Sequence, residues 1–161
     1  MKTIDPLHVP IRYIPKSLSK TDLAKQKREL RKSRKLYKSK KYYTRSHINT
    51  FHSKPSNHVA TAKKQYKVSN LLPSKELAKK TKCSKYTLKK IVNKGEGAYF
   101  SSGSRPNQTA QSWGIARLAS AITGGNASIV DFHLLRDGCQ PNSPALKMAK
   151  KTCKNQGKKC T

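Results

Sequence analysis

The chain has 161 residues, with 36 lysines and arginines against seven acids and a formal charge of +29. That length allows one modest domain with extensions. A single-sign charge at this density opposes compaction unless something large and acidic neutralises it: nucleic acid, an anionic membrane or an acidic protein face.

The charge is uneven. Residues 1–95 carry 27 basic and four acidic side chains, residues 96–146 three of each, and residues 147–161 six lysines and no acid. The neutral segment reads as core and its basic flanks as docking surface. Residues 1–20 hold no continuous apolar stretch of the kind a secretory signal needs, and no apolar run is long enough to span a membrane. Cys83, Cys139, Cys153 and Cys160 form no CxxC pair and no zinc-binding spacing. Free thiols in a cytosolic product are the plainer reading, and a Cys153–Cys160 bridge formed after assembly is the alternative.

In chain order, residues 1–18 read as an extended arm, because Pro6, Pro10 and Pro15 forbid helix and favour polyproline-like backbone. A helix starts after Ser19, which with Asp22 makes a capping-box-like pair, and runs to about Lys40. Its apolar stripe of Leu23, Leu30 and Tyr37 is narrow and surrounded by basic residues. The spacing therefore predicts a surface helix whose order and charge are satisfied by a neighbour. Residues 41–73 show little periodicity. Their aromatics, among them Tyr42, Tyr43, Phe51 and Tyr66, lie between basic residues and suit either stacking on bases or anchoring in a protein groove. The histidines there have no paired spacing, so metal binding is not expected.

Ser74 caps a short helix over 75–81, Lys82-Cys83 turns the chain, and Ser84 caps a second helix over 85–93 with Gly95 just past its end. Leu77, Ala78, Leu88, Ile91 and Val92 face one another. The pattern resembles a helix-turn-helix module presenting Lys85, Tyr86, Lys89 and Lys90 to a major groove, although any short helical hairpin needs the same residues. Residues 95–108 read as a Gly/Ser-rich loop, either packed tightly or cradling an anion beside Arg105. Residues 109–123 form a buried helix, capped by Asn107 or Thr109 and ended by Gly124-Gly125, with a wide apolar face built on Trp113. Residues 127–135 suit a strand or a helix, and Ser143-Pro144 starts a last helix through about Cys153.

The resulting expectation is a mainly α chain: a basic arm and surface helix over 1–73, a small helical core over 74–153 with long loops, and a basic tail over 154–161. Arg105, Trp113, Arg117 and Asp131 are the expected structural residues, with Asp131 pairing Arg117 or Arg105. Asp131 and His133 would share a face on a strand, near Ser101, Ser102 or Cys139, but nothing in the spacing supports a catalytic triad. A non-enzymatic protein without metal or cofactor is expected. Partner docking falls to Lys25, Arg28, Arg31, Arg34, Lys35, Tyr37, Tyr42, Tyr43 and Arg45, joined by Lys85 and Lys89.

Two stretches carry a resemblance: Lys32-Ser33-Arg34 with Leu36-Tyr37-Lys38 and Tyr42-Tyr43-Thr44-Arg45, and the run from Lys94 through Gln108 continued by Ser112-Trp113-Gly114-Ile115-Ala116-Arg117-Leu118-Ala119-Ser120. Over residues 12–139 the chain resembles an uncharacterised small basic domain family of nucleocytoplasmic large DNA viruses. The resemblance implies a viral protein found in the virion and made in the host cytoplasm, and transfers no catalytic residue. Joined to the basic arm, it gives the leading expectation: a minor capsid, or cement, protein docking in multiple copies onto major capsid proteins inside the shell. A virion DNA-binding protein is the alternative, and the inner membrane surface is a further acidic partner.

Overall fold

The structure, a computed structural model, describes residues 7–160. The expected extended start at residues 1–6 and the last residue of the basic tail lie outside the described residues. Among the described residues all regular structure is helical: a 3-10 turn Ile11–Tyr13, then α1 Lys20–Lys38, α2 Asn57–Tyr66, α3 Lys75–Thr81, α4 Lys85–Ser101, α5 Ala110–Ile122, α6 Asn126–Val130, α7 Phe132–Gly138 and α8 Pro144–Asn155. The protein is mainly α. No described helix is long and apolar enough to cross a membrane.

Two compact units share the chain. The first combines Met1–Lys54 with Gly97–Ala110, and the second combines Pro55–Glu96 with Gln111–Thr161. This division differs from the expected one at residue 73, because Ala62, Tyr66, Val68 and Leu71 are buried in the same apolar cluster as α3, α4, α5 and α8.

In the second unit serines start several of the helices. Ser56, Ser74 and Ser143 each accept the backbone N–H three residues on, from Val59, Leu77 and Leu146, and such caps contribute about 1 kcal/mol apiece. Helix α2 falls in the stretch 41–73, whose sequence shows little periodicity. Its stripe of Val59, Ala62 and Tyr66 follows helical spacing, and the Tyr66 hydroxyl donates to the Ile122 carbonyl at 2.5 Å. Burial pushes the Tyr66 phenol pKa up. Residues 127–135 form α6 and α7, not a strand. Helices α6, α7 and α8 pack on one another.

Helix α4 does not stop before Gly95 but continues to Ser101, so the expected loop over 95–108 begins later. A glycine inside a helix costs roughly 1 kcal/mol against alanine. Here it permits close approach of α5: a Cβ on Gly95 would lie 2.6 Å from Gly114 Cα, and one on Gly114 would lie 2.6 Å from the Val92 carbonyl oxygen. On α5 the fully buried residues are Leu118, Ala119, Ala121 and Ile122, while Trp113 is only partly buried.

The first unit corrects the reading of an arm that borrows its order. After Pro10 the chain takes a 3-10 turn, with Tyr13 N–H donating to the Pro10 carbonyl at 2.9 Å, and Tyr13 is buried. Helix α1 buries Gln26, Leu30 and Ser33 rather than a purely apolar line. Polar residues are tolerated there because they are bonded within the unit: Gln26 donates to the Tyr13 carbonyl at 3.0 Å, and the Ser33 hydroxyl accepts from Arg45 at 2.8 Å. Leu30 faces Gly103, whose φ of +127° and short approach to Leu30 both disfavour a side chain. Ser19 caps α1 by accepting from Asp22 N–H, but Asp22 does not complete a capping box. Its carboxylate accepts from Thr50 N–H and the Thr50 hydroxyl, at 3.0 and 2.7 Å. Asn107 likewise leaves the cap of α5 and ties down the chain at Ile48 and Phe51.

Candidate nucleic-acid interface

Helices α3 and α4 are joined by Lys82, Cys83 and Ser84. Lys82 adopts the left-handed conformation, φ +56°, that glycine usually supplies in so short a turn. Leu77, Thr81, Cys83, Leu88 and Ile91 are buried beneath the turn. Thr81 belongs among these apolar residues because its hydroxyl donates to the Leu77 carbonyl at 2.8 Å and accepts the Cys83 N–H at 3.3 Å. Ser84 caps α4 by accepting the Thr87 N–H at 3.1 Å. With Thr87, Leu88, Ile91 and Val92 turned inward, α4 leaves Lys85, Tyr86, Lys89, Lys90 and Asn93 exposed. Lys90 Nζ stands 4.4 Å from the centre of the Tyr86 ring.

The turn is held from outside as well. Ser84 N–H donates to the Gly138 carbonyl and Gln140 N–H to the Lys82 carbonyl, both at 2.8 Å. Cys83 and Cys139 are joined by a disulfide, as are Cys153 and Cys160. The free-thiol reading therefore gives way, since the fold brings together cysteines 56 residues apart that no local motif pairs. In the chain-entropy picture a bridge of that span contributes about 4 kcal/mol.

Buried Asp131, between α6 and α7, fixes the body of α4. It accepts from Arg117 Nε at 2.7 Å and Nη2 at 2.8 Å, and pairs with Lys94 on α4 at 3.2 Å. The Asp131 hydrogen bonds raise the Arg117 pKa above its ordinary value. Asp131 is fully buried and His133 exposed, so the shared strand face imagined for them does not exist. Arg105 is exposed.

The expected docking residues divide into two groups. Arg28, Arg31, Lys35, Tyr42, Lys85 and Lys89 are exposed, Tyr37 is at the margin and Tyr43 is half-buried. Three others act inside the first unit instead. Lys25 donates to the His47 carbonyl at 2.9 Å, and Arg34 to the Ser102 and His8 carbonyls at 2.9 and 3.1 Å. Arg45 is buried, with its guanidinium 3.7 Å from the centre of the Tyr99 ring and bonded to Ser33, Ser104 and the Tyr99 carbonyl at 2.7–2.8 Å. Burial lowers the Arg45 pKa, opposed by Tyr99 and Glu29. An arginine among exposed lysines reads as surface charge, and only the distant Tyr99 and Ser104 reveal its role. Thr81 and Asn93 were missed too; the four-residue step from Leu77 to Thr81 was the available signal.

A family model matches residues 10–141. The chain belongs to DUF5824, a family of unknown function. The DUF5824 match takes in α1 to α7, and so both the α3–α4 pair and the Arg45 cluster, and stops short of α8. No curated protein and no solved structure matches the chain.

Proposed function

We propose that this protein binds duplex DNA through the helix-turn-helix of its second unit, as a virion DNA-binding protein. The observation that carries the reading is the division of α4 into two faces. Leu88, Ile91 and Val92 are buried, while Lys85, Tyr86, Lys89, Lys90 and Asn93 stand in solvent at the end of the helix that follows a three-residue turn. In such modules the N-terminal residues of the second helix meet base edges and lysines meet phosphates. The +29 charge supplies the non-specific part of the affinity. The virion setting rests on the resemblance to proteins of large DNA viruses.

Cement docking onto capsid proteins draws on the same resemblance and the same charge. The arm lends it less support than a neighbour-ordered arm would, because Gln26 and Ser33 of α1 find partners in their own unit, Tyr13 and Arg45. The experiment is fluorescence anisotropy of a labelled duplex across a salt series. The slope of log K against log salt should be steep and should fall by about one for each of Lys85→Ala, Lys89→Ala and Lys90→Ala. Unchanged slopes in all three variants would sink the reading. A protein that ignores duplex and instead co-sediments with capsid protein through its lysines restores cement docking.

A further inference from the structure

The first unit exposes an aromatic group that neither its core nor the helix-turn-helix uses. Helix α1 ends in a Schellman motif: Lys40 is left-handed at φ +59°, Lys40 N–H donates to the Tyr37 carbonyl at 2.9 Å, and Lys41 N–H to the Leu36 carbonyl at 2.9 Å. The motif folds the next residue, Tyr42, back beside the helix end. The Tyr42 ring lies 6.2 Å from that of Tyr37 and 5.2 Å from that of Phe100. Phe100 in turn stands edge-on to Tyr99 at 5.0 Å, and Tyr99 is fully buried under Arg45. Tyr42 is therefore the outer end of a row of rings anchored in the buried cluster, yet 72% of it is exposed.

Its surroundings are basic. Lys35 and Lys38 in the last turn of α1 and Lys40 and Lys41 just after it are exposed, and Lys32 Nζ sits 4.4 Å from the centre of the neighbouring Tyr43 ring. No acid occurs between Leu30 and Lys75. A held, exposed ring among uncompensated lysines fits a partner that is both polyanionic and flat-faced. An acidic peptide offers the charge without the faces. Duplex DNA has its base faces already stacked inside. An unpaired DNA strand offers phosphates to the lysines and free bases to the ring.

We propose that the first unit carries a stacking platform for unpaired bases of a DNA strand, centred on Tyr42 and flanked by Tyr37 and Phe100. The site shares no residue with the helix-turn-helix and does not rest on that reading. The test uses the full chain and a fluorescein-labelled oligothymidylate, with a labelled duplex of equal charge alongside. Tyr42→Ala should weaken oligothymidylate binding roughly 5- to 150-fold, the range for loss of one stacked base. It should leave duplex binding unchanged, and Tyr42→Phe should retain the wild-type affinity. Lys89→Ala with Lys90→Ala should show the reverse pattern, so each site fails or stands by itself. Equal oligothymidylate affinity in wild type and Tyr42→Ala overturns the proposal. So does a proportionate loss for both probes. Polyglutamate bound as tightly as oligothymidylate at matched charge overturns it in favour of a protein partner.

Discussion

Replacing Asp131 by alanine tests how the second unit holds its helices. The carboxylate is fully buried and takes three charge-assisted contacts, two from Arg117 and one from Lys94. Its removal leaves the Arg117 guanidinium, only 23% exposed, without a counter-charge. Breaking a buried pair costs about 3–5 kcal/mol. Lys94, whose side chain is 44% exposed, can turn to water and loses little, so the lower end of about 3 kcal/mol applies. For a chain of this size that is a fall in Tm of roughly 6–12 °C, read by circular dichroism at 222 nm (the helical signal; about 2–4 °C per kcal/mol). Adding Arg117→Met should recover part of the loss, because it removes the stranded cation and keeps the apolar stem. A cost below about 1 kcal/mol, the scale of an exposed ion pair, would refute the reasoning.

Two further outcomes follow from the packing and the titrating groups. Gly114→Ala should destabilise by on the order of 1 kcal/mol or more, since overpacking of about 1–3 kcal/mol outweighs the gain in helix propensity, whereas Gly97→Ala, with nothing within 4 Å of its Cβ, should stabilise in the same melts. Burial pushes Glu29 up, but hydrogen bonds from Ser46 and Tyr43 outweigh it and hold the carboxyl below its ordinary value of 4.5. A depressed carboxyl contributes stability that is present above its unfolded pKa and lost as pH falls through its folded pKa. Glu29→Gln should therefore flatten the fall in Tm between about pH 5 and about pH 3, and an unaltered acid limb would contradict the assignment.

What the sequence made legible was local. Ser19, Ser74, Ser84 and Ser143 mark helix starts by a side-chain oxygen acting within three residues, and all four do so. The pairing of Asp131 with a neutral-segment arginine was legible from charge balance alone. The ends of helices were harder. Gly95 reads as a stop in isolation and becomes an interior residue only because Gly114, far along the chain, comes against it. Helix α1 misled for the same reason: Gln26 and Ser33 count as polar until Tyr13 and Arg45 meet them. At the candidate interface, Lys85 and Lys89 could be read from helical spacing. Arg45 could not be told from a surface cation, because its partners Tyr99 and Ser104 are more than fifty positions away.

The first unit is assembled from two separated stretches, with α2, α3 and most of α4 lying between them in the sequence. Synthesis from the N-terminus therefore delivers α1 and Arg45 well before Tyr99, Ser104 and Asn107 exist to receive them. Until the ribosome has passed Asn107, that half is a nascent chain with an unshielded guanidinium and an unfilled seat over Leu30. The same interleaving governs dissection. A fragment ending at Lys54 keeps Ser33 but lacks the Tyr99 ring and the Ser104 hydroxyl that complete the seat of Arg45, and one beginning at Pro55 carries Tyr99 with its cation missing. Helix α4 thus cannot be excised as a contiguous piece through α5 without taking part of the other unit along.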